Sequence, residues 1–254
     1  MEEIDQKTQL LSSIPVERFL DIGACPGSFS AYVLGHLYRS IGFGISLPSD
    51  EGGHELALPG KLQRRYTLFH QDITRTTLPL ESLHSMDLVI GDAHLLREPS
   101  GAIKVSSEPT KRYHYDILYY SQVIMALQAV RNGGNLLLKS QKVEWISVMR
   151  NLEEMESVCE MLECYKPEKC WSKNSSFYII CYGVKTASAA YTALLTKYNA
   201  LLARLHEMRA EDGQGIFDAQ EDEEEMIRSG LIDRMIPIVK NVWAVQVSCY
   251  DVVK

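Results

Sequence analysis

Two carboxylates and a lysine stand out because each closes an apolar, β-rich run: Asp72 in HQDIT, Asp92 in VIGDAHLL and Lys139 in NLLLKS. A strand delivers the side chain at its end to one edge of a sheet. There an aspartate and a lysine could orient a hydroxyl and help deprotonate it, with the ammonium lowered in pKa or neutralised by its neighbour. Carboxylates only accept hydrogen bonds, so one suits an exocyclic amine and the other a positive charge on a bound ligand. Ordinary fates compete at each position: an aspartate caps a loop or helix, and a strand-end lysine points to solvent. A fourth feature favours a site. In FLDIGACPGSF, from Phe19 to Phe29, an apolar run leads through a glycine-rich turn into a helical pattern. Gly23 and Gly27 lack side chains, so backbone can approach a ligand, and a helix from about Ser28 would aim free amides at its carboxylate. The spacing is GxxxG rather than the dinucleotide GxGxxG, and no Lys-Ser/Thr pair follows as in a phosphate-binding loop.

These residues need elements to hold them. Apolar runs at Arg18 to Ile22, Gly42 to Leu47, Tyr66 to His70, Met86 to Ile90, Asn135 to Leu138 and Ser176 to Tyr182 read as strands. Helical periodicity covers Ser28 to Tyr38, Tyr115 to Arg131 and Val143 to Leu162, with Gly133-Gly134 as a helix stop. Strands alternating with helices predict an α/β domain over residues 1–183, with a mostly parallel central sheet covered on both faces. Ligands of such sheets sit beyond the carboxyl ends of strands at the topological switch point, where the turn, Asp72 and Asp92 would gather. From about Val184 the pattern changes. Tyr191, Leu194, Leu195, Tyr198, Leu201, Leu202 and Leu205 mark one face of a long helix, Ala210 to Glu225 reads as a loop, and Met226 to Val253 reads as a helix with a break or kink near Pro237. Residues 184–254 are therefore expected to form a helical C-terminal extension, packed on the sheet domain or mediating association.

Composition narrows the functional classes. The 254 residues carry a net charge of −7, which argues against a broad phosphate-binding surface and leaves a local basic patch as the route to nucleic acid. Lys104, Lys111, Arg112, Lys142, Lys169 and Lys173 are its candidates, interleaved with Glu98, Glu108, Asp116 and Glu168. The acidic run Glu221 to Glu225 reads as solvated. No apolar run approaches the ~20 residues of a membrane span, and the polar start MEEIDQKTQLL does not resemble a secretory signal. Cytoplasm or nucleus is the expected location. The 6 cysteines lack CxxC spacing, so reduced packing thiols are expected and no metal site. No GxSxG elbow is present, and His54, His70 and His94 have no motif-level partner, although His94 is placed to line an acceptor pocket. Tyr113, Tyr115, Tyr119 and Tyr120 could wall such a pocket or simply pack.

LDIGACPGSFSAYVL, DLVIGDAHLL, GGNLLLKS and SSFYIICYG together resemble the FtsJ-like methyltransferases, Rossmann-type enzymes that use S-adenosylmethionine to methylate ribose 2′-hydroxyls in RNA. The likeness runs from about Met1 to Gly183. It implies that Gly23, Ala24, Pro26, Gly27, Ser28 and Phe29 wrap the methionine and ribose parts of the cofactor, and that Asp72 and Ile73 hold the adenine. GISLPSDEGGHEL resembles the cofactor loop of viral cap methyltransferases, which places His54 and Glu55 near the ribose. Asp92 and Lys139 match two members of the family's Lys-Asp-Lys-Glu set, in which the second lysine activates the 2′-hydroxyl. The resemblance also shows departures. The family's first lysine would fall just ahead of Met1, with Lys7 an out-of-register substitute, and Ser176 stands where the glutamate belongs, beside Asn174 and Ser175. An S-adenosylmethionine enzyme acting on RNA is the leading expectation, with a small-molecule acceptor or a non-catalytic binding module as alternatives.

Overall fold

The computed structural model describes residues 1–78, 83–95, 108–171, 174–208 and 228–251. Two short helices, α1 (Glu2–Thr8) and α2 (Leu10–Ser13), precede β1 (Arg18–Ile22), α3 (Ser28–His36), β2 (Ile41–Ser46), α4 (Gly60–Gln63), β3 (Tyr66–His70) and β4 (Met86–Gly91). Then follow α5 (Glu108–Ala129), β5 (Val130–Gln141), α6 (Ile146–Ser157), β6 (Met161–Tyr165), α7 (Glu168–Trp171), β7 (Ser176–Tyr182), α8 (Ala189–Glu207) and a last helix, α9 (Leu231–Asp251).

Among the described residues the strands form one seven-stranded sheet in the order β3-β2-β1-β4-β5-β7-β6. The pairs from β3 through β5 are parallel, and only β7 runs against its neighbours β5 and β6. The chain builds outward from β1 to β3 and then returns to lay β4 on the other side of β1. The loops after β1 and β4 therefore leave the sheet in opposite directions and open a crevice between them, which is the switch point of this topology.

Alternation along the strands sorts side chains onto two faces. Phe19, Leu88, Ile90, Leu137, Tyr178 and Ile180 meet α1 to α4, whereas Leu20, Ile22, Val89, Leu136, Leu138, Phe177 and Ile179 meet α5, α6, α8 and α9. β4 lies between β1 and β5 and is buried along its whole length, which explains its unbroken apolar run. Asp87 is the exception. Its carboxylate accepts from the backbone of Glu17 and Arg18, both at 2.8 Å, and pairs with Arg131, so it sets where β1 enters the sheet.

The long helix face expected near the C-terminus packs on this chain. Tyr191, Leu194, Tyr198 and Leu205 are buried, with Leu195, Leu201 and Leu202 against the same core. The Tyr191 hydroxyl donates to the Leu127 carbonyl of α5 at 2.5 Å. α9 continues through Pro237, where the sequence predicts a break or kink, without breaking. Pro237 is exposed, and the buried stripe Leu231, Met235, Val239 and Val242 carries the helix past it. The acidic loop from Ala210 to Glu225 lies outside the described residues.

Two other expectations are corrected. The helix read from Val143 to Leu162 stops at Ser157, and Met161–Tyr165 is a strand whose Leu162 and Cys164 are buried. An edge strand of 5 residues with alternate burial is too short to separate from the tail of an amphipathic helix. Gly133 and Gly134 do not stop α5, which ends at Ala129; β5 starts at Val130 and runs through both glycines. No described helix is long and apolar enough to cross a membrane.

Candidate active site

The turn after β1 is held from both sides. The amides of Gly23 and Ala24 donate to the Ile45 carbonyl of β2 at 2.8 and 3.1 Å, and the Asp92 amide donates to the Ile22 carbonyl at 3.0 Å. Gly23 has φ +80°, and a Cβ there would lie 2.6 Å from the Ala93 Cα, so only glycine lets the turns after β1 and β4 come this close. Gly27, at φ +107°, starts α3 against Leu56. Below the turn Asp21 is buried, and its carboxylate accepts from the Ser30 hydroxyl at 2.6 Å; that hydroxyl also shares a hydrogen bond with Tyr66. Burial, reinforced by the nearby Asp92 charge, pushes the Asp21 carboxyl up to about 7 against the opposing Ser30 hydrogen bonds.

β4 and β5 deliver the pair anticipated from the sequence. Lys139 Nζ lies 3.3 Å from Asp92 Oδ1, both side chains largely buried. The Tyr178 hydroxyl donates to the same oxygen at 3.1 Å, and Tyr178 is directly opposite Lys139 in the β5–β7 register. Gln122 of α5 accepts from the Ala93 amide at 2.7 Å and fixes the backbone beside Asp92. At the start of β7, the buried Lys166 amine donates to the carbonyls of Asn174 and of Ser176, the latter at 2.9 Å.

The pair opens into a cavity of about 620 Å³ whose lining includes Asp92, His94, Tyr119, Lys139, Trp145 and Ser176. The ring of Trp145 carries the Arg112 guanidinium 4.0 Å and the Lys142 ammonium 4.3 Å from its centroid. An ammonium beside two acceptor oxygens, next to a backbone cradle, can hold a hydroxyl and take part in moving its proton.

The structure therefore brings Asp92, Lys139 and Ser176 to one cavity, with Gly23, Ala24, Pro26, Gly27, Ser28 and Phe29 forming the neighbouring turn and first helical residues. His54 and Glu55 are exposed on a loop tied to that turn by the Ala57 amide, which donates to the Pro26 carbonyl at 2.9 Å. Asp72 follows β3 on the same sheet edge. Its Oδ1 caps the next turn, accepting from the Thr74 amide at 2.9 Å and its hydroxyl at 2.7 Å, while Oδ2 faces Arg75 at 3.6 Å. The Ile73 side chain is buried in the core. His94 is exposed at the cavity, and Lys7 lies exposed in α1, outside the cavity lining. Tyr115, Tyr119 and Tyr120 line the cavity, whereas Tyr113 donates to the Met208 carbonyl at 3.2 Å. Of the basic candidates, Arg112 and Lys142 reach the cavity through Trp145 and Lys169 is exposed; Lys104, Lys173 and Glu98 lie outside the described residues, as do the side chains of Lys111 and Glu108. Among the described residues no His, Cys, Asp and Glu cluster could hold a metal ion.

Sequence reasoning missed Tyr178, Gln122, Trp145 and Asn151. Tyr178 had a readable signal, since it is two residues after Ser176 on one strand and so shares its face. Gln122 was legible only as a polar residue inside an apolar helix face.

Over 205 residues the chain is 24% identical to a cap-specific mRNA (nucleoside-2′-O-)-methyltransferase 1A of Caenorhabditis briggsae, covering 76% of this chain and 23% of that protein. It is 25% identical to the cap-specific mRNA (nucleoside-2′-O-)-methyltransferase 1 of Bos taurus, covering 74% of this chain and 24% of the relative. The chain thus spans about a quarter of the length of these curated relatives. A solved structure from Plasmodium falciparum, described as a ribosomal RNA methyltransferase, shares the fold at TM-score 0.54 and 16% identity, over 72% of this chain and 93% of that one. The model of the FtsJ-like methyltransferases matches residues 1–184. A glycine turn at the switch point, an Asp–Lys pair on the adjacent strand ends and a family match across the whole sheet domain lead to one assignment: this chain belongs to the FtsJ-like methyltransferase family.

Proposed function

We propose that the chain uses S-adenosylmethionine to methylate ribose 2′-hydroxyls of RNA, with residues 1–183 as the catalytic domain and 184–254 as a helical extension bracing α5 and α6. The observation that carries the reading is the Lys139–Asp92 contact at 3.3 Å, on the wall of a cavity and beside a turn whose close approach to Ala93 only a glycine at position 23 allows. This cradle suits the cofactor. Gly23, Ala24, Pro26, Gly27, Ser28 and Phe29 would hold its methionine and ribose parts, Asp72 Oδ2 and Ile73 its adenine end, with His54 and Glu55 at the ribose. The bound cofactor supplies an electrophilic methyl on a sulfonium centre.

The chain's own residues do the rest. Lys139 orients the acceptor hydroxyl and assists its deprotonation, while Asp92, fixed by Tyr178, holds the ammonium in place. Ser176 offers a hydroxyl where the family resemblance implies a carboxylate, so positioning supplies much of the catalysis. RNA is the acceptor supported by the cap-specific mRNA relatives, each a much longer protein.

Calorimetry with S-adenosylmethionine tests the cofactor site, with Asp72→Ala as the weakening variant. Transfer of labelled methyl to RNA tests the reaction, and Lys139→Met should reduce it about 10²–10⁴-fold while cofactor affinity is retained. A small-molecule acceptor is the second reading, favoured by the −7 charge and by a cavity of about 620 Å³ beside the Asp–Lys pair. Transfer to an acceptor that does not weaken with salt would favour it.

A further inference from the structure

The cavity beside Asp92 and Lys139 is larger than presenting one hydroxyl requires. It extends between α5 and α6 to Asn151, which is buried. Asn151 Oδ1 lies 3.5 Å from the hydroxyls of both Tyr120 and Tyr198, at the long limit of hydrogen bonding. The buried Tyr119 hydroxyl faces the same amide without making a hydrogen bond of ordinary geometry. Leu118 and Val148 add apolar wall. A recess walled by both apolar and polar side chains suits an aromatic ring whose edge carries both donors and acceptors. Its volume, about 620 Å³, falls within the roughly 300–1,000 Å³ of ligand pockets.

The side lined by Trp145 has a different chemistry. Arg112 and Lys142 are both stacked on Trp145, and Lys142 sits at φ +53° where β5 turns toward α6. Two cations placed by one aromatic ring that lines the recess suit a phosphate. The cationic pair on Trp145, the proton-handling pair Asp92–Lys139 and the recess reaching Asn151 supply the chemistries that a phosphate, a ribose and a base require.

We infer that this recess receives the base of the nucleotide being methylated, drawn out of its stack, while Arg112 and Lys142 hold its flanking phosphate. The inference rests on the RNA reading above and adds Tyr119, Asn151, Arg112 and Lys142 to it. Single-stranded RNA offers such bases at little cost, since its unstacked bases can be splayed out. Gripping a single nucleotide also reconciles an RNA acceptor with a net charge of −7, because no extended basic surface is needed. With one phosphate neutralised by the two cations, the logarithmic salt slope should be about −0.7.

The test uses the full chain saturated with S-adenosylhomocysteine and titrated with the four ribonucleoside 5′-monophosphates, the free nucleosides and ribose 5-phosphate. In parallel, methyl transfer to a random-sequence single-stranded RNA pool is measured with S-adenosylmethionine. At least one nucleotide should bind tenfold or more tightly than ribose 5-phosphate, and Lys142→Gln should remove the advantage of nucleotide over nucleoside. Asn151→Leu should raise KM for the pool about tenfold with cofactor affinity unchanged. Because Asn151 also supports Tyr120 and Tyr198, Tyr119→Phe is the second variant: it removes a hydroxyl that faces Asn151 without a hydrogen bond of ordinary geometry, so KM should rise severalfold with little loss of thermal stability. If the pool is methylated but both variants match wild type and ribose 5-phosphate binds as well as any nucleotide, the recess is not a base site and the RNA reading stands. If the cofactor binds but no nucleotide binds and no RNA is methylated, both readings fall.

Discussion

Asp21 should make the protein's stability depend on pH in a way that one substitution abolishes. The buried carboxyl is raised from 3.8 to about 7, chiefly by loss of solvation. Between those values the folded protein binds a proton that the unfolded chain has released, so stability falls as pH rises from about 4 to about 7 and is level above. The interval of about three units, at 1.36 kcal/mol each, amounts to about 4 kcal/mol. Asp21→Asn keeps an acceptor for the Ser30 hydroxyl and cannot titrate. Its amide hydrogens face the Ser30 donors, which adds a pH-independent cost. The informative quantity is therefore how the difference between variant and wild type changes with pH. Urea unfolding of both proteins from pH 4.5 to pH 8 should show Asp21→Asn gaining on wild type by about 3 kcal/mol, most of it between pH 5 and pH 7. A difference that stays flat across that range would mean Asp21 is ionised when folded, and the account of a desolvated carboxyl beneath the turn would be wrong.

Further substitutions separate the scaffold from the site. Gly23→Ala forces a side chain into the left-handed region and against Ala93, so unfolding free energy should fall by about 2–4 kcal/mol and cofactor affinity at least tenfold, read by urea titration and calorimetry. Tyr178→Phe deletes the hydroxyl on Asp92 and should slow methyl transfer roughly tenfold with cofactor affinity intact, as steady-state kinetics would show. Asp87→Ala removes the acceptor of two backbone amides and the partner of Arg131 at the far end of β4; a loss of about 3 kcal/mol in stability is expected, with kcat unchanged in the protein that remains folded.

The sequence by itself determined the strands that carry the site. β1, β3 and β7 fall where alternation and apolar runs place them, because a half-buried or fully buried strand leaves a local record in residue type. It also determined that Gly23, Asp92 and Lys139 end up at one edge, since parallel strands alternating with helices allow few other arrangements. β6 was not legible, because its burial comes from β7 and α9 rather than from its own pattern. Of the break or kink expected at Pro237, the break does not occur, because the packing of Leu231, Met235, Val239 and Val242 outweighs one missing amide hydrogen bond.

Only the tertiary structure decided what surrounds the Asp–Lys pair. Tyr178 reaches Asp92 across 86 residues of sequence separation, Gln122 fixes Ala93 across 29, and Trp145 gathers Arg112 and Lys142 from two different elements. No local spacing encodes such contacts. They arise because antiparallel β7 is inserted between β5 and β6 and because α5 and α6 pack on the same face of the sheet, which leaves between them the recess that the acceptor would enter.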